Sequence, residues 1–446
     1  MAEHRATLIK PPPQDTRKAP IENALELTDL SIIGPDIYTN ARELWHPPGA
    51  RGIYGGAVIA QTLSAAQRTV PHDFVVHSFH CFFLLAGDSG TPLLYHVERV
   101  RDGRSFCTRT VQARQRGRPI FTVTCSFVRE GSGGERAVMH QAPMPAGALP
   151  PPPDDYDDEG PNWSGPRAER SPFQSHRIQI VDGDDGDKDR GRAGGAPEAR
   201  KKARQWVRAR GRISDEGGHQ AHLSALAYIS DSYFIGAVGR FHRLWRFPFK
   251  AEDVDKLPED KRQHLARQLD WEGYGRVEDY RGRPEIGMMV SLDHTIYFHN
   301  PKKVRADEWM FTEIESPWAG DGRGVVRQRI FAKDGTLLAT CFQESNPDPC
   351  GALSVVQAPL RREKGSTLLP EGQVERNTLG QRRLMVVSLL VTPRELSGYL
   401  RQGDYGYLHA CEARNRRWAN VSNKLMSSIS LRASAHYALR ILARAS

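Results

Sequence analysis

Val76-His77-Ser78-Phe79-His80-Cys81-Phe82-Phe83 and Asp293-His294-Thr295-Ile296-Tyr297-Phe298-His299 read as two versions of one segment. His77 matches His294 at an offset of 294 − 77 = 217. Further on, Thr124-Cys125-Ser126-Phe127 matches Thr340-Cys341-Phe342, and Cys125 to Cys341 is an offset of 341 − 125 = 216. A near-constant offset over two motifs signals duplication of one supersecondary unit. The competing reading is chance similarity between two β-rich stretches.

Beyond these segments, both versions lead into the same pattern. In the first, Leu93 to Arg101 leads to Asp102-Gly103, Ser105 to Gln115 leads to Arg116-Gly117, and Pro119 to Val128 closes the unit. In the second, Trp309 to Glu315, Val325 to Ala332 and Thr336 to Gln343 are separated by Gly320-Asp321-Gly322 and Asp334-Gly335. Strand-forming runs punctuated by such turns predict antiparallel meanders. Gly55-Gly56 and the small apolar run Ala57 to Ala66 precede the first, predicting a helix enclosed on nearly every side. Its glycine pair lacks the spacing of a phosphate-binding loop and reads as a close-packing device. One buried helix wrapped by a meander, made twice, is an α+β architecture.

The second helix holds an anomaly. Within the apolar run Leu223 to Val238 sits one carboxylate, Asp231. An isolated carboxylate out of water costs several kcal/mol unless hydrogen bonds meet it. Such a group is a candidate for catalysis; the plainer alternative is an Asp that caps the helix or faces a solvent gap.

Composition limits the remaining possibilities. The chain has 446 residues, 39% of them hydrophobic, enough for two ordinary domains with extensions. No stretch of 18 apolar residues exists, so no membrane span is expected. Met1 to Gln14 lacks the apolar core of a secretory signal. Cys81, Cys107, Cys125, Cys341, Cys350 and Cys411 form no C-x-x-C pair and read as reduced thiols of an intracellular protein, with no metal site. The net charge of 62 − 53 = +9 is carried by residues 351–446, where 15 basic and 6 acidic residues give 15 − 6 = +9. The rest is formally neutral, so no nucleic-acid partner is expected of the folded part; a basic tail could hold RNA or an acidic surface only non-specifically.

Five segments result: a disordered lead at 1–20, a globular unit at 21–130, and a low-complexity acidic, Pro- and Gly-rich linker at 131–200. A second globular unit at 201–348 and a basic extension at 349–446 complete the chain. The linker is assigned on composition, since so polar a stretch has little apolar surface to bury.

Arg51-Gly52-Ile53-Tyr54-Gly55-Gly56, His77-Ser78-Phe79-His80, Arg101-Asp102-Gly103-Arg104-Ser105-Phe106, Ser291-Leu292-Asp293-His294, Asp307-Glu308-Trp309 and Gln343-Glu344 together resemble the acyl-CoA thioesterase II family. The resemblance covers roughly residues 21–129 and 202–344. It implies a double hotdog, each half a long helix rolled in an antiparallel sheet, and hydrolysis of fatty acyl-CoA to free acid and CoA. It further implies that an aspartate, a hydroxyl residue and a glutamine of the second hotdog activate water. By motif these are Asp231, Ser291 and Gln343. No cofactor is implied, and acyl-CoA is the implied small-molecule partner. Relatives in peroxisomes carry an S-K-L-type address. This chain ends Arg444-Ala445-Ser446, so the peroxisomal matrix is an expectation from resemblance and the cytoplasm the reading of the visible residues. Unpaired sheet edges allow a homo-oligomer. The tail has no counterpart in the family, which leaves either a gene-structure error or a binding extension.

Taken singly, Ser291 reads as a strand-end hydroxyl and Gln343 as a β-edge amide; only the joint pattern makes them a site. Ser291 has no G-x-S-x-G elbow, which favours water over an acylated serine as nucleophile. His77 with His80, and His294 with His299, are separated by odd numbers, which in a regular strand puts each pair on opposite faces and forbids chelation. The competing functions are a hotdog hydratase or dehydratase and an acyl-CoA-binding scaffold.

Overall fold

The computed structural model describes residues 12–45, 52–134, 138–151, 171–182, 197–247 and 249–350. The basic extension from residue 351 onward and the acidic run Asp154 to Glu159 lie outside the described residues.

In chain order the first half is α1 (Pro20–Leu25), β1 (Leu27–Asp29), β2 (Ile37–Asn40), α2 (Gly55–Gln67), β3 (Phe74–Phe83), β4 (Leu94–Asp102), β5 (Phe106–Gln115) and β6 (Arg118–Arg129). The second is β7 (Phe173–Ser175), β8 (Gln179–Asp182), β9 (Lys201–Ala209), α3 (Gly218–Ser230), α4 (Gly236–Phe241), α5 (Glu259–Trp271), β10 (Glu285–Ser291), β11 (Asp293–Phe298), β12 (Met310–Gly320), β13 (Arg323–Ala332) and β14 (Leu337–Cys350). All pairings between these strands are antiparallel, in the order β1-β2-β4-β5-β6-β3-β11-β14-β13-β12-β9-β7, with β8 on β9 and β10 on β14.

The fold is therefore α+β, two helix-in-sheet units sharing one continuous sheet. Its seam is the repeated segment itself: Phe79 pairs with Ile296 and Cys81 with His294. Alternation along each strand turns one face inward, and Phe79, Cys81, Val111, Val123, Cys125, Ile296, Ile330 and Cys341 join one core with α2 and α3. The two central helices touch each other: Tyr54 Oη donates to the Tyr228 carbonyl at 3.0 Å, and Ser224 Oγ to Gln67 Oε1 at 2.9 Å. Cys81, Cys107, Cys125 and Cys341 are buried free thiols. No helix among the described residues is long and apolar enough to cross a membrane.

Three details differ from the sequence reading. Part of the segment assigned to a disordered linker is ordered: β7 and β8 pair with β9, and Phe173 and Ile178 are buried in the core. Gln141 likewise donates to Gly335 O at 2.8 Å and accepts from Leu337 N at 3.1 Å, while Met144 and Ala148 pack on Trp206, Phe311 and Phe331. A few apolar anchors suffice when an existing sheet face receives them, and average composition hides them. The lead is tied down in the same way, with Asp15 and Asn23 exchanging hydrogen bonds at 2.9 and 3.0 Å.

The third detail concerns the histidines. A bulge between Val76 and Ser78 breaks the alternation of β3. His77 reaches Ser126 Oγ at 2.8 Å and His80 reaches Thr295 Oγ1 at 3.3 Å, both on the outer side of the sheet. The expectation of opposite faces fails for His77 and His80 because it assumed a regular strand; for His294, buried, and His299, exposed, it holds. Among the described residues no group of three or more His, Cys, Asp or Glu side chains converges as a metal site.

Candidate active site

The run from Leu223 to Val238 is two helices and a turn rather than one helix. α3 ends at Ser230, Asp231 is its C-cap, and Tyr233 takes φ 55° before α4 begins. Ser-Asp-Ser is a weak helix-forming sequence because its side chains compete for backbone hydrogen bonds. The break swings the Asp231 carboxylate out of the helical spiral, toward β14 of the same repeat and the start of α2 of the other.

There it meets Gln343. Gln343 Nε2 donates to Asp231 Oδ1 at 2.9 Å, joining the end of α3 to the middle of β14. A second donor comes from the first repeat, the backbone N–H of Gly56 in the opening turn of α2. Tyr54 and Tyr228 close the surroundings, and Phe83 presses on Gly55. Burial in this shell raises the Asp231 pKa to about 6, although the Gln343 and Gly56 hydrogen bonds pull it down; desolvation of the charged form outweighs them. A carboxyl that titrates just below neutrality is suited to proton transfer.

The glycine pair has a role that sequence reasoning missed. A Cβ on Gly56 would lie 2.2 Å from the Tyr228 carbonyl oxygen, and one on Gly55 would lie 2.7 Å from Asp231 Oδ2. Gly56 serves helix–helix approach, while Gly55 gives access to the carboxylate and lets α2 pack closely under Phe83 of β3. The pairing of Gly-Gly at one helix start with an Asp at the other helix end was the available signal, but it needed the contact between the two repeats.

Ser291 ends β10, directly across from Ser345 of β14. Cross-strand partners share a face, and the diagonal neighbour is about 7 Å away, so Ser291 stands on the Gln343 side of the sheet, one diagonal step from it. Leu292 and Asp293 then both face Glu344: Leu292 N donates to Glu344 O at 2.9 Å and Glu344 N donates to Asp293 Oδ1 at 2.6 Å. This bulge brings Ser291 and His294, three apart, onto one inner face. Asp231 and Gln343 are thus in direct contact, while Ser291 shares the sheet face of Gln343 and, among the described residues, hydrogen-bonds to neither.

His294 is fully buried, with Nε2 3.0 Å from Ser230 Oγ. Ser230 donates its own proton to Ala227 O at 2.9 Å, so Nε2 is the proton-bearing nitrogen of a neutral ring. Burial holds its pKa down to about 3. His294 Nδ1 and Gln343 Oε1 are buried acceptors without a hydrogen-bond partner among the described residues.

Residues 42–128 match the profile of the acyl-CoA thioesterase N-terminal domain and residues 147–346 that of the acyl-CoA thioesterase C-terminal domain. Acyl-coenzyme A thioesterase 8 of Homo sapiens is 35% identical over 343 residues, spanning 75% of this chain and 90% of that protein. Acyl-CoA thioesterase 2 of Haemophilus influenzae is 31% identical over 310 residues, 66% of this chain and 87% of its own. Peroxisomal acyl-coenzyme A thioester hydrolase 1 of Saccharomyces cerevisiae is 34% identical over 125 residues, 28% of this chain and 35% of its own.

Proposed function

As the chain belongs to the acyl-CoA thioesterase II family and is a thioester hydrolase, we propose that Asp231, Gln343 and Ser291 hold and activate the water that cleaves a fatty acyl-CoA. The observation that carries this reading is the Gln343–Asp231 hydrogen bond at 2.9 Å around a carboxyl whose pKa is about 6. At neutral pH Asp231 is mostly ionised and can take a proton from water. Gln343 fixes one carboxylate oxygen and keeps its own Oε1 to accept the water's second O–H, while the Ser291 hydroxyl contributes a third contact. Fixing the water in this way removes part of the entropic barrier.

The steps balance. Water loses a proton to Asp231 as its oxygen bonds to the thioester carbon; the C–S bond then breaks, and the departing CoA sulfur takes the proton back. Free fatty acid, CoA thiol and an ionised Asp231 result. Asp231→Asn tests this in a thiol-release assay with acyl-CoA. The expected loss of kcat is at least about 10³-fold, by analogy with the loss of a principal general base, with binding of acyl-CoA retained. Unchanged release removes Asp231 from the chemistry.

The yeast relative is by name a peroxisomal protein, and the same compartment is proposed here; imaging the tagged full chain against a peroxisomal marker decides it. Among the described residues the sheet ends at β1 and β7, and such edges favour self-association, which light scattering across a concentration series tests.

A further inference from the structure

Tyr233 is the residue at which the backbone is most plainly forced. Its φ of 55° lies in the left-handed region, where a bulky aromatic is an outlier. Such a conformation costs free energy and persists only when surroundings impose it. It lies two residues after Asp231, in the turn that aims the carboxylate.

The imposing surroundings are identifiable. Arg240 Nη1 donates to the Tyr233 carbonyl at 3.1 Å, and the same guanidinium lies 5.6 Å from the Tyr233 ring centroid. Trp271, the last residue of α5, meets that ring at 5.8 Å. Arg240 is anchored in turn, its Nε donating to the Glu272 carbonyl at 3.0 Å and its guanidinium standing 5.2 Å from the Tyr274 ring. Glu272, also buried, is paired with Arg246 at 2.6 Å. A Cβ at Gly236 would lie 2.8 Å from Arg240 Nη1, so the start of α4 leaves room for the guanidinium. Trp271, Glu272, Tyr274 and Arg246 come from residues 242–284, which have a separate small core of Trp245, Leu265, Leu269 and Tyr280.

We propose that Tyr233 is a positioning residue for Asp231, and that Arg240 and Trp271 brace it in the left-handed conformation so that the region 242–284 fixes the direction of the carboxylate. This rests on Asp231 being the base. The test compares Tyr233→Gly with Tyr233→Ala: both remove the ring, but only glycine accepts a φ of 55° without steric cost. In acyl-CoA hydrolysis, Tyr233→Gly keeps kcat within about threefold of the parent, while Tyr233→Ala loses at least about tenfold in kcat with KM within about twofold. Trp271→Ala shows the same loss, and its acid limb moves from about 6 toward the ordinary carboxylate range. Adding Tyr233→Gly to Trp271→Ala restores kcat; adding Tyr233→Ala does not. Equal kcat for the Gly and Ala variants, or an unchanged Trp271→Ala enzyme, overturns the proposal. If Trp271→Ala does not fold, the Gly–Ala comparison in the parent chain decides alone. Equal Gly and Ala kcat alongside an inactive Asp231→Asn overturns the brace alone, whereas an active Asp231→Asn overturns the base assignment itself.

Discussion

The two repeats differ most in the connection that leaves their central helix. After α2 the chain turns through residues 68–73 and enters β3; after α3 it travels through residues 231–284 before reaching β10. The first connection is a structural bend, with Arg68 as an ordinary C-cap. The second holds Asp231, a left-handed tyrosine in contact with Arg240 and Trp271, and a separate small core. The same supersecondary unit therefore serves once as a frame and once as the carrier of an ionisable group. The frame is not passive, since Gly56 of the first repeat donates to the carboxylate of the second. A site between repeats divides the work: one copy supplies chemistry and the other supplies a helix start that faces it.

Substituting Gly56 disrupts that division most severely. Its added Cβ would meet the Tyr228 carbonyl at 2.2 Å and the Tyr54 ring at 2.4 Å, both inside well-packed structure. Neither backbone can retreat without opening the α2–α3 contact, so Gly56→Ala is expected to cost about 3 kcal/mol or more through overpacking. Gly55→Ala is milder in folding, because its new Cβ meets Asp231 Oδ2 and the Phe83 ring rather than backbone, at 2.7 and 2.9 Å. Its expected signature is a fall in kcat of about tenfold or more at a near-parental melting temperature. Thermal melts with steady-state kinetics separate the two. If Gly56→Ala melts like the parent, the helix contact is looser than these distances imply.

Much of this is legible in the sequence, and the parts that are not share a cause. The repeat offset, the turn dipeptides and the enclosed run Ala57–Ala66 signal two helix-and-meander units. Local periodicity does not reveal that β3 and β11 pair with each other, because that depends on how two copies face. Asp231 stands out as a carboxylate in an apolar run, and Ser-Asp-Ser hints at the helix break after Ser230, yet the contacts of Arg240 and Trp271 with Tyr233 come from tertiary packing that no residue pattern reports. The same holds for bulges. Those in β3 and at Leu292–Asp293 reverse the facing of His77 and of Ser291, and a period-two reading misplaces both. Phe173 and Ile178 escape notice because single anchors vanish in an average over so long a polar stretch.

Titration adds a second contrast between the two helix ends. Asp231 has a folded-state pKa of about 6 against an ordinary value of 3.8, so the folded protein binds the proton more tightly than the unfolded chain. Stability is therefore present in full below about pH 4 and declines as pH rises through 6, by roughly 3 kcal/mol in total. Activity runs the other way, since the base must be ionised, and kcat should rise with pH along a limb centred near 6. Asp231→Asn removes both effects: it is inactive, melts higher than the parent near pH 7, and loses that advantage at pH 4. Matching melting temperatures at both pH values would mean that the carboxylate is better solvated than its shell of Tyr54, Tyr228 and Phe83 implies.

The smallest effect separates the matched histidines. His77 is half-buried on the outer side of the sheet and bonded to Ser126. Its replacement in His77→Gln should change stability by about 0.5 kcal/mol or less, the ordinary range for a surface substitution. His294 is enclosed, and its loss leaves the space under α3 partly empty and Ser230 without a donor. His294→Met should destabilise by about 1–3 kcal/mol at pH 7. Its folded pKa of about 3 lies below the ordinary 6.5, so here the unfolded chain binds the proton more tightly and the parent loses stability as pH falls from 6.5 toward 3. Methionine has nothing to protonate. The gap between parent and His294→Met must therefore narrow between pH 7 and pH 4, opposite in sense to the Asp231→Asn series. A gap that stays constant over that range would mean His294 takes up its proton inside the folded core, which would require the unpartnered Nδ1 to find an acceptor that the α3–β11 packing does not supply.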